Sequence, residues 1–322
     1  MSRLMRMIGQ NCAHHEACLR LFADWEKDGG ITSGMLPLRL GAALHALVLE
    51  KINYGLVEVY PPNSASDHAL WNGVLVAFQQ HEQFIRAWLK SPPQTNEVHR
   101  AAPILAGLKY CLSRYPMPVV LSELGASAGF NLLLDRYTLN AGRALQSVED
   151  SIITLSPEWM GAIPPQQPLK IFDRAGVDIN PLKPIDRLDY LRLLSYTWAD
   201  QCDRLDRIKH IAPHQTTMVE QADAVDWLPN RLSKQRNGTL HFVFHTIALQ
   251  YFPQESKDRS AYALAQAGDR ATPERPLGYM SMEISDDLEG AKLTLQLWPG
   301  GQVHDVGRAD FHGRWVSWVH PT

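Results

Sequence analysis

Apolar residues recur at three- and four-residue spacing over residues 18–25, 36–49, 70–89 and 104–115. That repeat turns one face of an α-helix toward a core. Asp28-Gly29-Gly30, Pro61-Pro62-Asn63 and Ser91-Pro92-Pro93 interrupt the pattern and predict turns between helices. No β-rich run precedes Pro118, so residues 1–116 are expected to form a helical N-terminal domain.

The pattern changes after Pro116-Met-Pro118. Residues 119–124 (Val-Val-Leu-Ser-Glu-Leu) are a short, nearly continuous apolar run, as a parallel strand covered on both faces requires. Small residues follow, and 130–137 return to helical spacing. Further strands are predicted at 171–179, 217–220, 240–245, 277–284, 292–298 and 315–319, with helices at 188–211 and 256–266. Alternating strands and helices build a mostly parallel sheet covered on both faces. No helical stretch separates the last three strands, which predicts an antiparallel edge. The expected fold class is α/β: residues 117–322 form a Rossmann-like sheet, with an insertion at about 138–168, preceded by the all-α domain.

Composition narrows the partners. The 322 residues are 45% hydrophobic, enough for a substantial core, and the formal charge of −3 offers no basis for a broad nucleic-acid surface. The N-terminal residues carry no long apolar run or cleavage site, and residues 36–49 are too short and too polar to span a bilayer. Cys12, Cys18, Cys111 and Cys202 form no CxxC pair, and reduced thiols in a cytoplasmic protein are the expectation. Cys12, His14, His15 and Cys18 lack zinc-ligand spacing and read as helix surface, so no metal is expected.

The chemistry concentrates in Glu123-Leu-Gly125-Ala-Ser127-Ala-Gly129-Phe-Asn131, between a predicted strand and a predicted helix. Small residues permit a sharp turn and close approach of a ligand, and free N–H groups of a following helix would favour a polar or anionic group. A dinucleotide fingerprint needs three glycines at G-x-G-x-x-G, and only Gly125 and Gly129 are present. A nucleophile elbow needs G-x-S-x-G, which residues 125–129 satisfy. Asp203, Asp206, Asp226, His245, His304, His312 and His320 are available as partners for Ser127. Against it, the chain upstream offers neither strands nor an HGGG-type loop. A methyltransferase first motif needs an acid two residues before the first glycine, and Glu123-x-Gly125-x-Ser127-x-Gly129 fits, with Ser127 where a middle glycine is usual. There the carboxylate would hold the cationic methionine end of S-adenosylmethionine. A packed turn with no ligand leaves unexplained why a charge, Glu123, ends a buried strand.

The run from Glu123 to Tyr137 resembles an uncharacterised bacterial family known as domain of unknown function 2332. So do Gln94-Thr-Asn-Glu-Val98, Gly176-Val-Asp-Ile-Asn-Pro181, Trp198-Ala-Asp-Gln201, Leu297-Trp-Pro-Gly-Gly301 and Gly313-Arg-Trp-Val-Ser-Trp318, in matching order. That family is similar in turn to class I S-adenosylmethionine-dependent methyltransferases. The resemblance implies S-adenosylmethionine as cofactor and a small-molecule acceptor as partner. It implies that Glu123, Gly125, Ser127, Gly129 and Asn131 line the methionine end. Asp178 would accept the ribose hydroxyls, Asp223 and Ala224 would flank the adenine, and His245 would face the transferable methyl as catalytic residue. Asp178 lies much further from the glycine turn than the usual ~20 residues, and Asp173 is the alternative.

Three segments complete the reading. Gln94-Thr95-Asn96-Glu97 serves either as a helix cap or as a ligand contact, and the helical domain is expected to cover the cleft with Asn96 and Glu97 near the C-terminal strand ends. Trp298, Trp315 and Trp318 read as packing residues. Arg192, Arg204, Arg207 and Lys209 alternate with acids on a solvated helix face.

Overall fold

The computed structural model describes residues 1–23, 35–90, 93–286 and 289–321. The expected turn at Asp28-Gly29-Gly30, the end of the 18–25 helix, and Ser91 and Pro92 lie outside them. In chain order the helices are α1 (Ser2–Asn11), α2 (Glu16–Phe22), α3 (Leu36–Leu49), α4 (Tyr54–Val59), α5 (Asp67–Gln80), α6 (Glu82–Leu89), α7 (Ala101–Arg114), α8 (Arg187–Ser195), α9 (Cys202–Ile211), α10 (Ala224–Leu232) and α11 (Gln254–Asp269). The strands are β1 (Val119–Leu124), β2 (Tyr137–Ala141), β3 (Ala144–Gln146), β4 (Ile153–Leu155), β5 (Glu158–Gly161), β6 (Ile171–Asp178), β7 (Glu220–Gln221), β8 (Leu240–Thr246), β9 (Leu277–Ile284), β10 (Ala291–Trp298), β11 (Val303–Ala309) and β12 (Trp315–Trp318).

Two compact units divide the chain: residues 1–95 with 184–210, and residues 96–183 with 211–322. The first is helical throughout its described residues. Asn53, Ser66 and Asp186 cap α4, α5 and α8 by accepting from backbone N–H groups two or three residues on. The continuous helix expected over 70–89 is broken at His81, which adopts a non-helical backbone (φ −123°, ψ 27°) between α5 and α6. Its core gathers Leu4, Leu40, Leu44, Leu47, Leu56, Phe78 and Ile85. Cys18 is fully buried in that core and Cys12 is half-buried, which corrects the helix-surface expectation for this pair; His14 is exposed.

The second unit holds a nine-stranded sheet in the order β5-β12-β11-β10-β9-β8-β1-β6-β7. Strands β7, β6, β1, β8 and β9 are mutually parallel, whereas β9, β10, β11 and β12 run antiparallel to one another. The chain is thus a mixed α/β protein with a mostly parallel sheet and an antiparallel edge. The contact division falls after Thr95, not near residue 116. The reason is α7, whose residues 101–109, 111 and 112 are all buried. A helix apolar on nearly all sides must pack on more than one neighbour. Here α7 lies so close to β9 that a Cβ on Gly107 would collide with Met280 Sδ.

The opposite face of the sheet carries α10 and α11. Leu124, Val243 and Leu277 from the strands pack there with Ala224, Trp227, Leu228 and Leu264. Pleating therefore assigns Ser122, Leu124, Val243 and His245 to the α10/α11 face, and Glu123, Phe244 and Met280 to the α7 face.

The segment leading into the insertion differs from its expectation. Residues 130–136 form a 3-10 turn with a kink at Leu133, and strand β2 starts at Tyr137, so the helix expected over 130–137 is absent. Tyr137 hydroxyl donates to Phe130 carbonyl at 2.6 Å and pins the turn closed. Strands β2, β3 and β4 make a small separate sheet, and β5 joins the far edge of the large one beside β12. Trp298 and Trp318 are buried packing residues, as expected. No helix among the described residues is long and apolar enough to cross a membrane.

Candidate functional site

Because β1, β6, β7 and β8 are parallel, their C-terminal ends share one edge of the sheet. Connections leave β1 toward β6 on one side and β8 toward β9 on the other. In open α/β sheets such a divergence, outside the strand ends, is where ligands bind. The sequence-derived residues distribute along this edge: Glu123 near the end of β1, Asp178 at the end of β6, Asp223 after β7 and His245 near the end of β8.

The turn after β1 is built by its own backbone. Gly125 and Ala126 N–H both donate to Val177 carbonyl, at 2.9 and 3.1 Å, and Gly129 N–H donates to Ala126 carbonyl at 2.7 Å. Gly125, Ser127 and Gly129 all have positive φ (68°, 52° and 73°). Glycine takes that conformation freely, whereas at Ser127 it is strained. Gln215 amide nitrogen donates to the carbonyls of Ala128 and Gly129, occupying the space a side chain on Gly129 would need.

One expectation about this turn is corrected. No α-helix follows it, so there is no helix N-terminus to receive an anion. The N–H of Phe130 is instead capped by Asn96 Oδ1 at 2.9 Å. Asn96 and Glu97, both buried, thus stand at the C-terminal strand ends within the sheet unit itself. Glu97 accepts from His99 N–H at 3.3 Å, and Arg100 donates to Phe311 and Thr246 carbonyls at 2.8 and 3.4 Å.

Glu123 is 1% exposed. Its Oε1 accepts from Asn131 Nδ2 at 3.4 Å, while Oε2 has no partner, and neither does the adjacent buried Asn131 Oδ1. Burial drives the Glu123 carboxyl well above its ordinary range; Asp178 adds to the rise, and Asn131 and Arg100 oppose it. The same burial, with Glu123 and Asp135 nearby, pushes Tyr137 up. As a carboxylate, Glu123 leaves two buried acceptors, its own Oε2 and Asn131 Oδ1, without an N–H or O–H donor.

Asp178 Oδ2 accepts from Ser127 N–H and Oδ1 from Asn180 N–H, each at 2.8 Å. The alternative acid, Asp173, lies toward the start of β6 beside Val120, with Arg231 at 2.6 Å. It belongs to another network, in which Arg231 Nε donates to Ser122 hydroxyl and that hydroxyl bonds His241 Nε2 at 2.9 Å. Burial and Arg231 push His241 down to about 3, so the ring is neutral and accepts. Asp223 is exposed and caps α10 by accepting from Val225 N–H at 2.9 Å, with Ala224 buried behind it.

His245 does not face the Glu123 side. It is completely buried on the α10/α11 face, with Nδ1 at 2.6 Å from Glu283 Oε1 and Nε2 at 2.7 Å from Tyr279 hydroxyl. Nδ1–H donates to the carboxylate, and Nε2 shares a hydrogen bond with the phenol. Burial opposes ionisation of Glu283, but bonds from His245 and from the N–H groups of Leu249 and Ala248 outweigh it and hold the carboxyl below its usual range. Burial raises Tyr279. Neither partner stood out in the sequence, because a Tyr and a Glu four apart on a half-exposed strand read as ordinary alternation.

A groove of about 430 Å³ runs between α10 and α11, lined by Val225, Pro229, Arg259 and Tyr262 among others. None of Glu123, Asp178, Asp223 or His245 lines it. Among the described residues no cluster of three or more His, Cys, Asp or Glu side chains could hold a metal ion.

The model of a family described as an uncharacterized protein conserved in bacteria (DUF2332) matches residues 1–318, and the chain belongs to that family. No curated protein matches it.

Proposed function

Taking membership of this bacterial family as the starting point, we propose that the strand-end crevice binds S-adenosylmethionine and that the protein transfers its methyl group to a small acceptor. One observation carries the reading: Glu123 Oε2 and Asn131 Oδ1 are neighbouring buried acceptors with no donor, beside a glycine turn at the sheet's divergence point. A ligand ammonium supplies N–H donors of the required charge. The parallel order β7-β6-β1-β8-β9 supports a Rossmann-like assignment, since it is the order of strands in nucleotide-binding sheets of that class. Asp178 then stands at the end of the second strand, where the ribose acid belongs, and Asp223 follows the third.

In this reading Glu123 and Asn131 hold the methionine end, Gly125 lets the chain pass beneath it, and Asp178 accepts the ribose hydroxyls. Asp223 and Ala224 flank the adenine. Methyl transfer is an in-line displacement, so positioning and exclusion of water supply most of the rate. His245 contributes no base on the Glu123 side, because both its ring nitrogens are engaged on the opposite face.

Isothermal calorimetry with S-adenosylmethionine and S-adenosylhomocysteine, without added metal, is the direct test. Heat of binding is expected with both, and folded protein giving heat with neither would overturn the proposal. Ser127 separates it from a serine hydrolase, a reading that draws on the G-x-S-x-G spacing and on the strained φ of Ser127. Ser127→Ala is expected to weaken cofactor binding by about tenfold at most, the worth of one hydrogen bond. Covalent labelling of Ser127 by a fluorophosphonate, lost in the alanine variant, would establish the hydrolase instead.

A further inference from the structure

The segment after β8 is strained and heavily held. Ile247 has φ +52°, a backbone conformation that a β-branched residue rarely adopts. Its N–H donates to Met282 carbonyl at 2.8 Å. The next two N–H groups, of Ala248 and Leu249, both donate to Glu283 Oε1, at 2.9 and 3.0 Å, and the same oxygen receives His245 Nδ1 at 2.6 Å. One carboxylate oxygen on β9 therefore gathers three donors from a five-residue stretch, one on β8 and two on the connection after it. That stretch touches the turn after β1: a Cβ on Gly125 would fall 2.6 Å from Ala248 Cβ.

Strain of this kind persists only where its surroundings over-determine it, and it marks places where geometry is being enforced. We propose that Glu283 is a positioning residue for the strand-end pocket: it latches the Ile247–Leu249 turn against Gly125, and His245 and Tyr279 fix the carboxylate in place to do so. This rests on the cofactor reading. Glu283 acts from the α10/α11 face and touches no ligand. Its effect passes through the backbone of residues 247–249 to the wall beneath the methionine end. His245 serves as the strut of this latch. Its imidazole spans 2.6 Å to Glu283 and 2.7 Å to Tyr279 hydroxyl, so the ring cannot turn without breaking both bonds.

The test pairs two measurements on wild type, Glu283→Gln and Glu283→Asp. Amide hydrogen exchange of ligand-free protein reads the latch, and calorimetry with S-adenosylhomocysteine reads the pocket. Glu283→Gln keeps an oxygen acceptor but loses the charge that draws three donors together. It is expected to speed exchange at 247–249 at least tenfold, with α10 and α11 unchanged, and to weaken S-adenosylhomocysteine about tenfold. Glu283→Asp, which restores the charge on a shorter arm, is expected to recover part of both losses. Faster exchange with unchanged affinity would overturn the positioning role, and unchanged exchange in Glu283→Gln would overturn the latch itself. If wild type binds neither compound, the cofactor reading falls and the positioning role with it. Exchange at 247–249 still reports the latch in that case, so the two failures are distinguishable.

Discussion

Glu123→Gln is expected to weaken S-adenosylhomocysteine about ten- to a hundredfold while making the ligand-free protein more stable. The loss follows from removing a charge-assisted contact to an ammonium, worth about 1.5–3 kcal/mol. The gain follows from the carboxyl's position. It is buried, one oxygen has no partner, and its proton affinity is raised above the ordinary carboxylate value of 4.5. A glutamine amide is uncharged and offers a donor matched to the unpaired Asn131 Oδ1. The sign of the pH dependence is fixed. A carboxyl whose folded pKa lies above its unfolded value binds more protons when folded, so stability falls as pH rises from the unfolded value through the folded one. The advantage of Glu123→Gln should therefore be small below pH 4.5 and grow above it. Ligand binding has the opposite slope. An ammonium favours the carboxylate, so wild type should release a proton on binding and bind more tightly as pH rises through the same window. Calorimetry in buffers of different ionisation enthalpy reads the proton, and chemical denaturation across pH reads the stability. A glutamine variant that binds as wild type does would remove Glu123 from the site.

Gly125→Ala should be the most damaging single change in the turn. Its φ of +68° costs an L-residue about 1–2 kcal/mol. The new methyl would meet Ala248 Cβ at 2.6 Å, and a Cβ cannot rotate out of the way. Either the β1 turn or the Ile247–Leu249 turn must shift, which adds about 1–3 kcal/mol of overpacking. A combined loss of about 2–5 kcal/mol is a large part of the ~5–15 kcal/mol that holds a typical domain together. Urea unfolding should show a lower midpoint at unchanged slope, and any folded variant should bind S-adenosylhomocysteine poorly. An unchanged midpoint would mean that Gly125 is not the pinch point between the two turns.

The legible parts of the fold are those where burial alone decides the pattern. Strands β8 and β9 stand out because Leu240–Thr246 is buried throughout and Leu277–Ile284 alternates. Helix α3 coincides with its predicted span, since Leu36–Leu49 is an unbroken helical pattern bounded by breakers. Strand β11 left no trace, because Val-His-Asp-Val-Gly-Arg-Ala is half polar and its place comes from pairing with β10 and β12. The apolar run Phe-Asn-Leu-Leu-Leu at 130–134 suits a helix equally well. Asn96 and Tyr137, distant in sequence or on the next strand, clamp it into a 3-10 turn. In the turn after β1, the positive φ of Gly125 and Gly129 is legible because that conformation needs special local sequence. The hydrogen bonds of Glu283 are not, since its three donors come from the end of β8 and the connection after it. His245 was read as a strand-end residue, and it is one. Its direction depends on pleat register, and a shift of one residue reverses the face.

Strand β5 gives the molecule a schedule as well as a shape. It lies between β1 and β6 in sequence, yet among the described residues its one neighbour in the large sheet is β12. Trp315 lies 154 positions after Gly161. At about 5–20 residues per second, a ribosome makes β5 and then spends roughly 8–30 s before its partner exists. Through that interval the parallel strands can assemble in the order they emerge, but the far edge cannot be sealed. Glu158–Gly161 waits as an unpaired strand with Met160 and Trp159 among its side chains, open to wrong partners in the way any bare edge is. The far edge of the sheet is thus finished by a segment made early, once residues 315–318 arrive to pair with it.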